Sequence, residues 1–157
     1  MNISADSEIL KTIRLILLIT AISTMIGLEA ELFLLGHLKA LLQLVPVIVI
    51  AVGLGSIAWY GLTRTGTPIR VFQVTMSLCI AAGVIGMVFH LAFSATEARK
   101  KQNSLYGMRL IGEALTGVAP PLAPAALIQV GVIGLAYTLR HPALEEVDEK
   151  RDQSGTG

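Results

Sequence analysis

The residues of this chain that could do chemistry are acids, imidazoles and thioethers set among long apolar runs. Met25 and Glu29 are four apart, and Met87 and His90 are three apart. On a helix each pair shares a face. A thioether with an imidazole suits a soft metal such as Cu(I), or the axial positions of a haem. An imidazole with a carboxylate suits iron, zinc or manganese. At about 1.5 Å per residue, Glu29 stands about 22 Å along a helix from Arg14, and His90 about 13 Å below Arg99. Both then fall in the same half of a bilayer, the half away from the chain termini. Glu31, His37, Gln43, Glu97 and Glu113 belong to that side as well.

Ionisable groups inside a membrane are costly and mark functional candidates. The cofactor-binding candidates are therefore His90, Glu29, His37, Met25 and Met87, and the metal candidates His90, Glu29, Glu31, Glu97 and Glu113. Glu29 and His90 are expected to face the bundle interior within direct or water-bridged reach. Two combinations are excluded. His90 and Glu97 are seven apart and differ in height by about 10 Å. Glu29 and Glu31 point to nearly opposite sides of one helix. No catalytic residue can be assigned.

The same residues have plainer readings. Glu29 and His90 can form a neutralised structural pair. Glu31 and His37 suit an interface, Glu113 suits a solvated surface helix, and Met25 and Met87 suit core filling. Gln129 suits an interhelical hydrogen bond, and His141 the opposite membrane boundary. There is no HxxxH or HxxHH histidine box, no ExxH pair, no Gly-rich phosphate loop and no GxSxG.

These residues need a membrane scaffold to hold them. Of the 157 residues, 54% are hydrophobic and 15% charged, with a mean hydropathy of +0.71. Soluble domains carry roughly 25% charged residues. The charge-free stretches Leu15–Leu28, Ala40–Thr63, Val71–Thr96 and Ala114–Leu139 carry most of the chain. Three of them exceed the roughly 20 residues that cross about 30 Å of hydrocarbon. A soluble enzyme, a disordered chain and a disulfide scaffold are excluded. The net charge of +1 gives no field for nucleic acid. The lone Cys79 has no partner for a disulfide.

The pattern predicts an all-α fold, an integral membrane four-helix bundle whose fourth span is broken by proline. Residues 1–12 read as a polar lead, 13–140 as the four-span domain and 141–157 as an acidic, disordered tail. Asp6 and Glu8 before the first apolar run argue against a cleaved signal peptide. The first helix is expected to pass Glu29 and Glu31 and stop near Gly36, which suits a C-terminal cap. The second runs from about Leu41 to Leu62 through Pro46, and Trp59 and Tyr60 anchor its end. The segment from Thr63 to Arg70 reads as a turn and Glu97 to Ser104 as a polar loop. Pro120, Pro121 and Pro124 split the fourth span into a short helix near Tyr106–Val118 and an apolar one near Ala123–Leu139.

Four spans put both termini on one side. That side holds seven Lys and Arg residues against five on the other, which points both termini to the cytoplasm. Small residues four apart (Ser23/Gly27, Ala51/Gly55, Ala82/Gly86) suit close helix packing within the bundle or a homo-oligomer interface. No internal repeat is evident. The leading functional expectation is a small multi-pass membrane protein, in contact with the lipid bilayer, that holds a metal ion or haem for redox or electron transfer. The alternatives are a transport or channel subunit with a polar vestibule, and a non-catalytic accessory subunit of a larger membrane complex.

Overall fold

A computed structural model describes residues 3–34, 36, 41–101, 106–116 and 122–145. The described chain is helical, without a strand. The elements are α1 (Ile3–Leu34), α2 (Leu41–Thr63), α3 (Gly66–Lys101), α4 (Gly107–Thr116) and α5 (Leu122–Thr138). A single helical turn follows at 142–145. The first three helices are long and apolar enough to cross a membrane, and α5 is a shorter apolar helix. At 17 residues, α5 is about 25 Å long.

The first helix passes through Glu29 and Glu31 without a break. It closes on Gly36, whose φ of +65° gives a left-handed turn that favours glycine. The polar lead is helical too, with Lys11 bonded to Glu8 at 2.8 Å. Two expected loops belong to helices instead. Only Arg64 and Thr65 separate α2 from α3. Gly66 and Pro68, read above as turn residues, open α3, where a missing N–H leaves no helical bond unmade. At its other end, α3 continues through Glu97, Arg99 and Lys101. A Glu97–Lys100 ion pair of 2.7 Å supports that last stretch, and cations suit a helix C-terminus. Helices α4 and α5 flank the expected split, which itself lies outside the described residues. Pro124 lies in the first turn of α5, while Pro120 and Pro121 fall outside the described residues.

The four apolar helices alternate in direction. The α3–α5 contact is the most extensive, α2 covers another side of α3, α1 packs mainly on α5, and α4 rests on α3. Two glycines allow the α3–α5 crossing. A Cβ on Gly83 would stand 2.7 Å from the Pro124 carbonyl oxygen, and one on Gly131 would stand 2.7 Å from that of Met76. Backbone atoms cannot give way as a side-chain tip can, so these positions require glycine. The expected small-residue pairs are not the close contacts of this bundle. Gly27 and Gly55 have open space where a Cβ would stand. Gly86 would make only an ordinary contact, 3.5 Å from Pro124.

Met25, Ile50, Phe72, Met76, Cys79 and Val130 form the sealed centre. Outside it, large apolar residues such as Ile16, Phe33, Ile48, Val74 and Val88 are exposed on all three long helices. Water would not tolerate so extensive an apolar surface on a monomer. Lipid tails would, and the gain on assembly then comes mainly from close packing.

Candidate functional site

The two ends of the bundle carry different sites. At the end near Arg64, four elements converge on His141. Arg14 of α1 donates through Nη2 to the Leu139 and Arg140 carbonyls, at 3.4 and 2.5 Å. Arg140 has a φ of +47°, so the chain turns sharply as it leaves α5. His141 is 5% exposed. The Ala143 N–H donates to its Nδ1 at 3.3 Å, so in the neutral ring Nε2 carries the proton. Nε2 stands 3.2 Å from the Tyr137 hydroxyl. The ring also meets Tyr60 and Tyr137 edge-on, each at 5.2 Å between centroids. Arg64 lies over Tyr60, and Phe72 packs edge-on against Tyr137. Burial, and then the nearby Arg14 guanidinium, push the His141 pKa below the ordinary histidine range. The His141 ring is enclosed by protein, because α5 ends just before it and the chain folds back over Tyr60. The Arg14 side chain does not satisfy every donor, since its Nε is buried without a partner.

At the opposite end a cavity of about 650 Å³ lies among α1, α2, α3 and α5. Its α3 wall is a regular stripe, Leu78, Ala81, Ala82, Ile85, Gly86, Phe89 and His90, with steps of three and four that keep one helix face turned inward. His90 is the last member of that stripe. Leu28 and Leu32 form the α1 wall, Pro46 and Val49 belong to α2, and Ala123, Pro124 and Leu127 close it from α5. The void has a simple origin. Ala81 and Ala82 are small, and the rigid rings of Pro46 and Pro124 cannot extend to fill the gap. Val45, Leu78, Ile85 and Phe89 line it and are exposed, Phe89 by 62%. The cavity therefore opens on the lateral surface.

His90 Nδ1 is buried and has no hydrogen-bond partner. Glu29 Oε2 is in the same condition. Neither residue has an interaction with the other, so the expected pair forms no direct bond. The helix turn accounts for this. Leu28 and Leu32 are the α1 residues that line the cavity, and Glu29 is one residue, about 100°, further round.

The other sequence candidates are dispersed. Met25 is fully buried in the core, with its sulfur 3.2 Å from where a Gly53 Cβ would stand. Met87 is half-buried and does not line the cavity. Glu31 and Glu113 are exposed, and Glu97 is held by Lys100. His37 lies outside the described residues. Gln129 is exposed on α5. Among the described residues, no three His, Cys, Asp or Glu side chains gather as a metal ion would need. No known protein family, curated protein or solved structure matches this chain.

Proposed function

We propose that this chain is a four-span membrane protein that holds a lipid-soluble ligand in the cavity opposite its termini, with His90 as the polar contact. The observation that carries this reading is the His90 imidazole in the wall of a largely apolar cavity of about 650 Å³. Small-molecule sites are concave and apolar, of roughly 300–1,000 Å³, with a few polar groups that orient the ligand. A ligand bearing a hydrogen-bonding atom would give the imidazole a partner inside the cavity. The gathering of Arg14, Arg64 and Arg140 at the other end supports a cytoplasmic position for both termini.

A haem or metal reading keeps one anchor, His90, because Glu29 does not line the cavity. It predicts a Soret band or stoichiometric metal in the purified protein. The ligand reading is tested by native mass spectrometry of protein extracted in mild detergent. One apolar molecule should remain bound per chain in the wild type and be absent from Gly86→Leu, whose side chain fills the cavity. Wild-type protein with nothing bound, or equal loading of the variant, would count against the reading.

A further inference from the structure

The lining of the cavity also constrains the charge of its occupant. Among the described residues that line it there is no Asp, Glu, Lys or Arg, and the only polar side chains are Gln43 and His90. The nearest basic group in sequence on the α3 wall is Arg99, nine residues beyond His90 and more than two turns away. An ionised carboxylate or phosphate seated there would leave water and meet no Lys or Arg side chain among the described residues that line the cavity. Burial of an unpaired charge is strongly disfavoured. A carbonyl or hydroxyl oxygen carries no such penalty, and neutral imidazole can bond either one, since a ring nitrogen either donates or accepts according to tautomer. The exposed apolar rim of Val45, Leu78, Ile85 and Phe89 gives an apolar chain a route in from the side, without passage through water.

We propose that the cavity binds a neutral, long-chain lipid-soluble molecule whose head carries a carbonyl or hydroxyl oxygen, hydrogen-bonded to the His90 imidazole, with its apolar chain running along the α3 stripe toward Leu78. Isoprenoid quinones and long-chain alcohols share this chemistry. Free fatty acids in ionised form, phospholipids and haem, with its propionates, do not. The inference rests on the reading of the cavity as the working site and narrows the class of its occupant.

Equilibrium binding to the full chain in liposomes at pH 8 tests it with four probes: a decyl-substituted benzoquinone, a C16 alcohol, palmitate and hexadecane. The benzoquinone, the alcohol or both should bind saturably, one per chain, and at least tenfold more tightly than palmitate. His90→Leu should weaken the neutral-headed probes by up to about tenfold, the value of one hydrogen bond, and leave hexadecane unchanged. Gly86→Leu should weaken every probe. Palmitate binding as tightly as the neutral probes would overturn the charge inference and leave the cavity reading standing. Neutral probes indifferent to His90→Leu would overturn the assigned contact. No saturable binding of any probe, or binding untouched by Gly86→Leu, would overturn the cavity reading itself. Unchanged helix content by circular dichroism in both variants separates these outcomes from misfolding.

Discussion

At the end of the bundle formed by Arg14, Tyr137 and His141, polar groups bond to one another or to the backbone, with Arg14 Nε left without a partner. At the other end, Glu29 Oε2 and His90 Nδ1 are buried without a hydrogen-bond partner among the described residues. The packing differs in the same sense. Near His141, aromatic rings meet edge to face. Near His90, small residues and two prolines leave a cavity. One end is closed by its own side chains, and the other leaves a cavity of about 650 Å³. An interaction that stabilises the first end should therefore be lost on mutation, whereas truncating the polar group at the second should cost little or help.

The largest effect is expected at Arg14. Its guanidinium ties the start of α1 to the chain leaving α5, and bonds from a charged donor are each worth about 1.5–3 kcal/mol. Arg14→Ala should lower the unfolding free energy in detergent by about that amount. At roughly 2–4 °C per kcal/mol for a chain of this size, the drop is visible in a thermal melt. An unchanged melt would break the comparison at its stronger side. Tyr137→Phe comes next. It removes the hydroxyl facing His141 and should cost about 1 kcal/mol, read by the same melt, with Phe72 packing retained.

Acid should act at the closed end through His141. The folded state holds His141 neutral, with its pKa pushed down by burial and by Arg14, while the unfolded chain titrates near about 6.5. The unfolded state then binds more protons as pH falls. This contribution to stability is fully present above about pH 6.5 and is lost progressively below it. Protonation would also turn Nδ1 from an acceptor into a donor facing the Ala143 N–H. A His141→Gln variant should lose this part of the pH slope. The smallest effect belongs to His90→Leu without ligand, where removal of an unpartnered buried nitrogen leaves stability unchanged or raises it by up to about 2 kcal/mol. A clear loss there would mean that His90 is tied into the fold and would erase the contrast between the two ends.

The helices were legible in the sequence because length and absence of charge decide them. The expectation of a division at Pro120, Pro121 and Pro124 came from backbone donors alone, and the first two lie outside the described residues. The ends of α3 were not legible, since Gly66, Pro68 and the Glu97–Lys101 run carry loop-like and helix-terminal meanings equally well. His90 could be found by its type and depth. The absence of a direct bond to Glu29 was not legible, because Glu29 sits beside the lining residues Leu28 and Leu32 and not among them, and the rotation of α1 is set by packing on α5. The enclosed His141 was missed for the same reason: spacing gives Tyr137 and His141, four apart on one face, but not the return of Ala143 onto Nδ1. The cavity left one readable sign, the repeat of Leu78, Ala82, Gly86 and His90 every fourth residue. Small residues there read as close packing, and the close contacts are instead at Gly83 and Gly131.

The claim that the His90 end is a ligand site, and not one more stretch of lipid-facing surface, is tested most directly by photolabelling in liposomes. A decyl chain bearing a terminal diazirine and a benzoquinone head is irradiated with the protein, and labelled residues are found by peptide mass spectrometry. The account predicts saturable labelling on residues 78–90 and 123–127, competed by unlabelled benzoquinone and abolished by Gly86→Leu. Labelling spread evenly over outward residues such as Ile16, Val74 and Phe93, with no saturation and no response to the substitution, would contradict it.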